Sequence, residues 1–318
     1  MASCKPESDD SSSVRITLGV YRSWCLENRK PEHMANSSFG NHGYREAIPE
    51  WGDYVMSGEN IGTVYAVGFG PGDECYETME AREVLAGVDV IVGYQTYVKL
   101  LEAQFPEKKF LVSGMHAEEV RCREALKLAS EGQNVAVVSS GDSAVYGMAG
   151  LLYTLSEEDA YRGVQVVTVP GLSAVLSGSA VLGAPVGHDF CVISLSDLLT
   201  PWAKIEQRLK AAAEADFVIV LYNPVSKTRQ AQYRRACAIL SEMLPADRVC
   251  AYVRNIGRDG QKSRIFLLNE LAGLATGKDG DEIDMLSTIF IGNSETRVIE
   301  TPDGPRMVTP RGYERKRR

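Results

Sequence analysis

The amino-acid sequence predicts an α/β fold in two domains. From Ile61 onward, short apolar runs alternate with longer segments of helical pattern. Several of these runs are apolar throughout, as at 135–138, which is typical of parallel strands covered by helices on both faces. The chain has 318 residues, enough for two cores of ordinary size.

The first domain is predicted over residues 61–185. It follows an N-terminal extension, 1–60, whose Ser- and Asp-rich start is expected to be disordered. Strands are expected at 64–67, 89–92, 135–138 and 164–169. Helices are expected at 75–86, 96–103, 117–130 and 143–155. The alternation of the two predicts a parallel sheet between helical layers.

The second domain is predicted over residues 186–305, before a basic tail at 306–318. Its strands are expected at 190–195, 217–221, 248–253, 263–268 and 286–291. Its helices are expected at 202–214 and 228–240. The last part of the tail, 311–318, is rich in Arg and Lys and is expected to be solvated and frayed.

Composition excludes several classes of function. A formal net charge of -8 argues against a nucleic-acid surface, which usually has a basic face. The seven cysteines form no CxxC pair and the four histidines show no metal-ligand spacing, so we expect no metal site. No apolar stretch is long enough to span a bilayer and no signal peptide is apparent, so we expect a cytoplasmic protein.

Five polar or glycine-rich loops follow predicted strands, where open α/β sheets bind their ligands. They are 68–73 (GFGPGD), 139–147 (SSGDSAVYG), 170–174 (PGLSA), 221–227 (LYNPVSK) and 254–259 (RNIGRD). The first loop nearly matches a dinucleotide-binding motif, but Asp73 stands where a third glycine would open the helix. We therefore interpret it as shaped for close backbone approach to another kind of ligand.

Taken in this order, the loops resemble the tetrapyrrole methyltransferase family. The opening GxGPGD motif is intact, whereas Ser143 replaces the proline that usually follows Gly-Asp in the second loop. The segments HDFCVISLSDLLTPW (188–202) and LYNPVSKTR (221–229) resemble the branch that methylates C(17) and contracts the ring in corrin synthesis. The resemblance implies a homodimer whose active cleft lies between two α/β domains, with a tetrapyrrole substrate.

The resemblance also implies a site for S-adenosylmethionine, bound mainly by main-chain groups. The residues that match the family's cofactor positions are Pro71, Asp142, Val145, Ser173, Ala174, Asn223 and Ile256. Small residues allow close approach to the ligand, and a carboxylate such as that of Asp142 favours a cationic sulfonium. No other cofactor is expected.

Ring contraction moves a proton, so a positioned acid or base would help. Asp73 and His116 are the candidates, with Asp73 equally able to cap the next helix and His116 able to be a solvated helix-start residue. Tyr146 and His188 are weaker candidates, since packing and a backbone contact account for them. For the carboxylates of the substrate, the basic candidates are Lys227, Arg229, Arg254, Arg258 and Lys262, which could equally be surface charges.

Three alternatives stay open at the level of sequence. A sibling methyltransferase could act on another acceptor, or the cleft could bind a tetrapyrrole without catalysis. A nicotinamide-dependent dehydrogenase would need the missing third glycine and an acidic residue after the second strand, where Gly93 and Tyr94 stand.

Overall fold

A computed structural model describes residues 61–226, 229–275, 282–313 and 316. The predicted N-terminal extension and Lys227 lie outside these residues. The predicted domain limits stay predictions.

The first sheet has five strands, all parallel, in the order β3-β2-β4-β1-β5. The strands are β1 (Thr63–Gly68), β2 (Val90–Tyr94), β3 (Lys109–Ser113), β4 (Val135–Ser139) and β5 (Gln165–Val169). The central β4 is buried along its whole length, as expected of an apolar strand covered on both faces. The α/β prediction is confirmed, and β3 is a strand that the sequence pattern did not reveal.

Helices cover both faces of this sheet. They are α1 (Met79–Gly87), α2 (Gln95–Leu101), α3 (Glu118–Ser130) and α4 (Ala149–Ser156). Buried side chains of α3 and α4 pack on one face, against Val64 and Val137 among others. Those of α1 and α2 pack on the other face, against Ile91 and Val138. Neighbouring residues of one strand, such as Val137 and Val138, thus pack on opposite faces of the sheet.

Two helices begin later than predicted. The segment expected to be helical from 75 forms a short 3-10 helix, Glu74–Tyr76, and α1 starts only after Thr78, whose hydroxyl caps Ala81 N at 3.1 Å. The helix expected from 143 begins only at Ala149, because Tyr146 has a left-handed backbone, with φ 56°, which interrupts an α-helix.

The helix α5 (Ala174–Leu182) leads from the first sheet to the second. Its Val175 and Leu182 pack in one cluster with Val220, Ala251 and Phe290, so α5 covers a face of the second sheet. A short strand, β6 (Gly183–Ala184), follows it directly. This crossing brings the start of α5 close to the ends of both sheets.

The second sheet is mixed, in the order β10-β9-β11-β8-β7. Its strands are β7 (Phe190–Ser194), β8 (Val218–Tyr222), β9 (Val249–Arg254), β10 (Lys262–Leu267) and β11 (Ser287–Ile291). The pair β7–β8 is parallel, whereas β11 runs antiparallel to both of its neighbours. Because of this reversal, the first residues of β11 lie beside the last residues of β8 and β9.

Two helices cover the other face of the second sheet, and a small sheet completes the fold. The helices are α6 (Trp202–Glu214) and α7 (Ala231–Met243), whose buried side chains share one core with the sheet. The hairpin of β12 (Arg297–Thr301) and β13 (Gly304–Val308) adds to β6 in a three-stranded sheet.

Candidate active site

One pocket lies where the loops of the two sheets meet. It encloses about 710 Å³, including its open mouth. All seven residues predicted to bind the cofactor line it: Pro71, Asp142, Val145, Ser173, Ala174, Asn223 and Ile256. The lining also includes Tyr97, Ser140, Gly141, Tyr222, Asn255, Arg258 and the segment Met285, Leu286, Ser287 and Thr288. The structure thus brings together residues that are far apart in sequence.

The first-sheet part of this site is built from tightly packed backbone. A Cβ atom on Gly171 would lie 2.1 Å from the carbonyl oxygen of Gly141 and 2.4 Å from that of Gly68. Gly70 and Gly141 exchange two backbone hydrogen bonds, of 3.0 and 2.7 Å. The sequence analysis expected the glycines to allow a ligand to approach the backbone closely. In the structure, much of that close approach is between neighbouring loops of the protein.

The carboxylate of Asp142 organises the same loops. Its Oδ1 accepts hydrogen bonds from the backbone N–H groups of Ala144 at 2.8 Å and Val145 at 3.1 Å. Its Oδ2 accepts one from Gly171 N at 3.0 Å. Both oxygens are thus occupied by protein donors, so Asp142 holds the second loop against the third and lends the pocket a negative charge.

Tyr146 connects the two halves of the site. Its backbone is left-handed, with φ 56°, which is costly for a bulky residue. Its hydroxyl donates to Val192 O at 3.0 Å and accepts from Ser194 N at 3.2 Å. The hydroxyl thus bonds backbone groups at the end of β7 in the way that a neighbouring strand would. Its ring centroid lies 5.7 Å from that of Tyr222. These contacts hold the strained loop in place.

Tyr222 serves the start of α5. Its hydroxyl accepts a hydrogen bond from Val175 N at 2.6 Å and shares another with Ser173 Oγ at 2.8 Å. Ser173 is the N-cap residue of α5 but makes no capping bond of its own, so the phenol supplies it. Burial raises the pKa of Tyr222, which keeps the phenol protonated.

The second-sheet part of the pocket combines two of the predicted loops with a segment that the sequence did not single out. Asn223 and Asn255 follow β8 and β9 and adopt left-handed backbone, with φ 52° and 54°, which asparagine tolerates. Met285 enters because β11 is antiparallel, and Ser287 pairs with Arg254 at its start. Nothing in the sequence indicated the direction of β11, so the contribution of 285–288 to the pocket could not be predicted.

The two predicted catalytic residues lie outside the pocket lining. The exposed Asp73 accepts a hydrogen bond from Cys75 N at 2.9 Å and caps the 3-10 helix Glu74–Tyr76. His116 is exposed in the turn between β3 and α3, with φ 64°. Their roles in proton transfer stay predictions, and the structure supplies a capping role for Asp73.

The basic residues predicted to bind substrate occupy different environments. Arg229 is only 8% exposed and donates to the carbonyl oxygens of Leu195 at 3.0 Å and Asn223 at 3.4 Å. Burial lowers the pKa of its guanidinium. Arg254 forms an ion pair with Asp284 at 2.7 Å. Arg229 therefore supports the loop that carries Asn223, and neither side chain lines the pocket.

The pocket lining has a distinct charge pattern. Among the described residues that form it, Asp142 is the one acid and Arg258 is the one base, and the rest are neutral. Small and polar neutral residues offer main-chain donors and acceptors at close range. Such a pocket fits a ligand that carries both a cationic centre and a carboxylate, which is the chemistry of S-adenosylmethionine.

Comparison with known proteins identifies the family. Residues 63–272 match the family model for Tetrapyrrole (Corrin/Porphyrin) Methylases. The chain belongs to this family. Its members are methyltransferases that use S-adenosylmethionine, so the tetrapyrrole methylase fold and a methyl-transfer activity are confirmed, and the dehydrogenase alternative is wrong.

Individual relatives cover the same part of the chain. A protein of Salmonella typhimurium named "Probable cobalt-factor III C(17)-methyltransferase" is 42% identical over 78% of this chain and 98% of its own length. A "Precorrin-3B C(17)-methyltransferase" of a Sinorhizobium species is 38% identical over 79% of this chain and 97% of its own. A "Cobalt-factor III methyltransferase" of Priestia megaterium is 42% identical over 80% of this chain, which spans only 46% of that relative.

A solved structure supports the fold. The crystal structure of the methyltransferase CobJ superimposes with a TM-score of 0.70, at 36% identity, over 78% of this chain and all of that one. Within the described ranges, no helix has the length and apolar character needed to cross a membrane. In the same ranges, no three His, Cys, Asp or Glu side chains gather in a metal-binding arrangement.

Proposed function

We propose that this chain transfers a methyl group from S-adenosylmethionine to C(17) of a tetrapyrrole in cobalamin biosynthesis, and promotes ring contraction to the precorrin-4 level. The observation that carries the proposal is the pocket in which all seven expected cofactor residues meet. The relatives of matching length, named as C(17)-methyltransferases, support the choice of carbon.

S-adenosylmethionine, when bound, supplies a methyl group on a cationic sulfur that needs no further activation. The residues that would hold it include Pro71, Ala174, Asn223 and Ile256 in the pocket lining, together with Ser173, whose hydroxyl is bonded to that of Tyr222. Asp142 contributes a negative charge without yielding its hydrogen bonds to the loops. The chain's main task is therefore to align donor and acceptor carbon.

The substrate is proposed to lie against the loop after β7. Ser194 Oγ accepts a hydrogen bond from Asn223 Nδ2 at 3.0 Å, which ties this loop to the pocket. Leu198 and Leu199 follow and are 64% and 97% exposed, so they offer apolar surface to a macrocycle. Asp197 is held by Gln232 at 2.8 Å.

The metal state of the substrate defines two versions of the proposal. The Salmonella relative is named for cobalt-factor III and the Sinorhizobium relative for precorrin-3B. In one version the macrocycle arrives free of metal, and in the other it brings its own cobalt. We also infer that the enzyme works in the cytoplasm, as its composition suggests, and that it is a homodimer, as the family resemblance implies; light scattering of the purified protein measures the assembly.

Anaerobic incubation with S-adenosylmethionine and each of the two macrocycles in turn tests the function. Mass spectrometry should show the gain of one methyl group, and the visible spectrum should show the contracted ring. The macrocycle that is converted shows whether the substrate is free of metal or carries cobalt. If neither gains a methyl group while S-adenosylmethionine still binds, the C(17) assignment is wrong and another acceptor must be sought.

A further inference from the structure

Arg258 reaches from the second sheet across to the loops of the first. It lies in the loop after β9, and its Nε donates to the carbonyl oxygen of Pro71 at 2.6 Å. Its Nη2 donates to Ser140 Oγ at 2.8 Å. Two of the three guanidinium nitrogens thus hold the first and second loops, and the side chain forms part of the pocket wall between them.

The glycine motif is shaped around this side chain. A Cβ atom on Gly72 would lie 2.4 Å from Cγ of Arg258 and 2.8 Å from the carbonyl oxygen of Gly257. Real side chains do not approach that closely, so any residue larger than glycine would displace the arginine. The second glycine of GPGD is therefore required by Arg258.

The charge of Arg258 has no partner in the protein that the structure describes. No Asp or Glu of the described residues forms an ion pair with it, and no described group accepts a hydrogen bond from its Nη1. Burial lowers the pKa of the guanidinium, and Tyr97, which also lines the pocket, opposes that change. A half-buried cation that bonds only neutral oxygens is costly to maintain. A ligand anion would remove that cost.

We propose that Arg258 binds a carboxylate of the ligand that enters the pocket. The proposal rests on the proposed function and deepens it. Carboxylates reach this site from two sources: the amino-acid end of S-adenosylmethionine, and the acetate or propionate side chains of the tetrapyrrole. Since Nε and Nη2 are already fixed by Pro71 and Ser140, the remaining N–H groups are pre-oriented for a carboxylate.

The first arm of the test compares two methyl donors. Calorimetry measures binding of S-adenosylmethionine and of its decarboxylated analogue to the wild-type protein, to Arg258→Gln and to Arg258→Lys. If the donor's carboxylate is the partner, the wild-type protein prefers S-adenosylmethionine by roughly 10- to 100-fold, and Arg258→Gln loses that preference. Arg258→Lys keeps the charge but not the fork and should retain part of it.

The second arm measures the tetrapyrrole alone. The wild-type protein and Arg258→Gln are titrated with the macrocycle, without methyl donor, and the visible spectrum reports binding. If a side-chain carboxylate of the macrocycle is the partner, Arg258→Gln weakens binding of the macrocycle by roughly 10- to 100-fold. The ratio of the affinities for S-adenosylmethionine and its decarboxylated analogue is then the same in Arg258→Gln as in the wild-type protein.

The control is Arg162→Gln, which removes the same charge from an arginine whose side chain is 83% exposed. Thermal unfolding of each variant checks that it is folded. The proposal is overturned if Arg258→Gln is folded and leaves both the donor preference and the macrocycle affinity at the wild-type values. Failure of the proposed function is distinct, because the wild-type protein would then methylate neither macrocycle.

Discussion

The two halves of the pocket are built by different means. In the first sheet, all strands are parallel and the loops meet through backbone, with Gly171 against the carbonyl oxygens of two other loops and Asp142 bonded to three N–H groups. In the second sheet, side chains make the wall, among them Tyr222 and Arg258. The first half of the pocket is thus built mainly from packed backbone with one carboxylate, and the second half mainly from side chains with one guanidinium.

The difference follows from the direction of the strands. A parallel sheet gathers the carboxyl ends of its strands at one edge, so its loops crowd together and need small residues. The mixed sheet turns one strand around, and the segment before β11 comes to lie at the edge beside β8 and β9. The resulting wall combines two loops that leave the sheet with one that enters it.

The largest expected effect is that of Gly171→Ala. The added methyl group would lie 2.1 Å from one backbone oxygen and 2.4 Å from another, so the three loops must separate. We expect a loss of more than about 3 kcal/mol in the free energy of unfolding, measured with urea. Gly150→Ala is the control, since nothing lies within 4 Å of its Cβ position in α4, and it should gain up to about 1 kcal/mol. Equal stability of the two variants would contradict the packing argument.

Asp142→Asn tests the organising role of the carboxylate. The amide oxygen can still accept from Ala144 and Val145, but its NH₂ group cannot accept from Gly171. We expect a loss of about 1–3 kcal/mol in stability and roughly tenfold weaker binding of S-adenosylmethionine by calorimetry. Asp159→Asn, at a side chain that is 89% exposed, should change neither value. If Asp142→Asn binds S-adenosylmethionine with wild-type affinity, the carboxylate of Asp142 does not contribute to binding of the methyl donor.

How far the sequence predicts this site can be judged from particular elements. The apolar run at β4 and the helix α6 (Trp202–Glu214) were expected, because continuous apolar and amphipathic patterns carry their own signal. The predicted start of α4 was wrong, since the left-handed backbone at Tyr146 interrupts the helix that the sequence pattern suggested. The contact between Arg258 and Pro71 joins residues 187 positions apart, and no local pattern encodes such a pairing.

Tyr146→Phe tests whether the two halves depend on each other. The variant loses the hydrogen bonds to Val192 and Ser194, which join the second loop to β7. We expect a loss of about 1 kcal/mol in stability and about fivefold weaker binding of S-adenosylmethionine. Tyr153→Phe removes a hydroxyl that bonds within the first half, to Val166 O at 3.3 Å, and should lower stability alone. If both variants bind alike, the link to β7 does not shape the pocket.

The smallest effect is expected for Asp73→Ala. Loss of the cap on the 3-10 helix should cost about 0.5–1 kcal/mol, because the side chain is exposed. Turnover should stay within about twofold of wild type, since Asp73 does not line the pocket. His116→Ala should likewise keep turnover within about twofold of wild type, since His116 does not line the pocket. A drop of about 100-fold in turnover in either variant would instead support the proton-transfer role predicted from the sequence.

The most direct test of the account is whether S-adenosylmethionine occupies the pocket between the two sheets. Calorimetry on the wild-type protein should show one binding site per chain. Ala174→Phe, which places a ring in the pocket wall at the start of α5, should abolish this binding. The matched Ala211→Phe, on the exposed surface of α6, should bind as the wild type does. Wild-type binding by a folded Ala174→Phe protein would contradict the account.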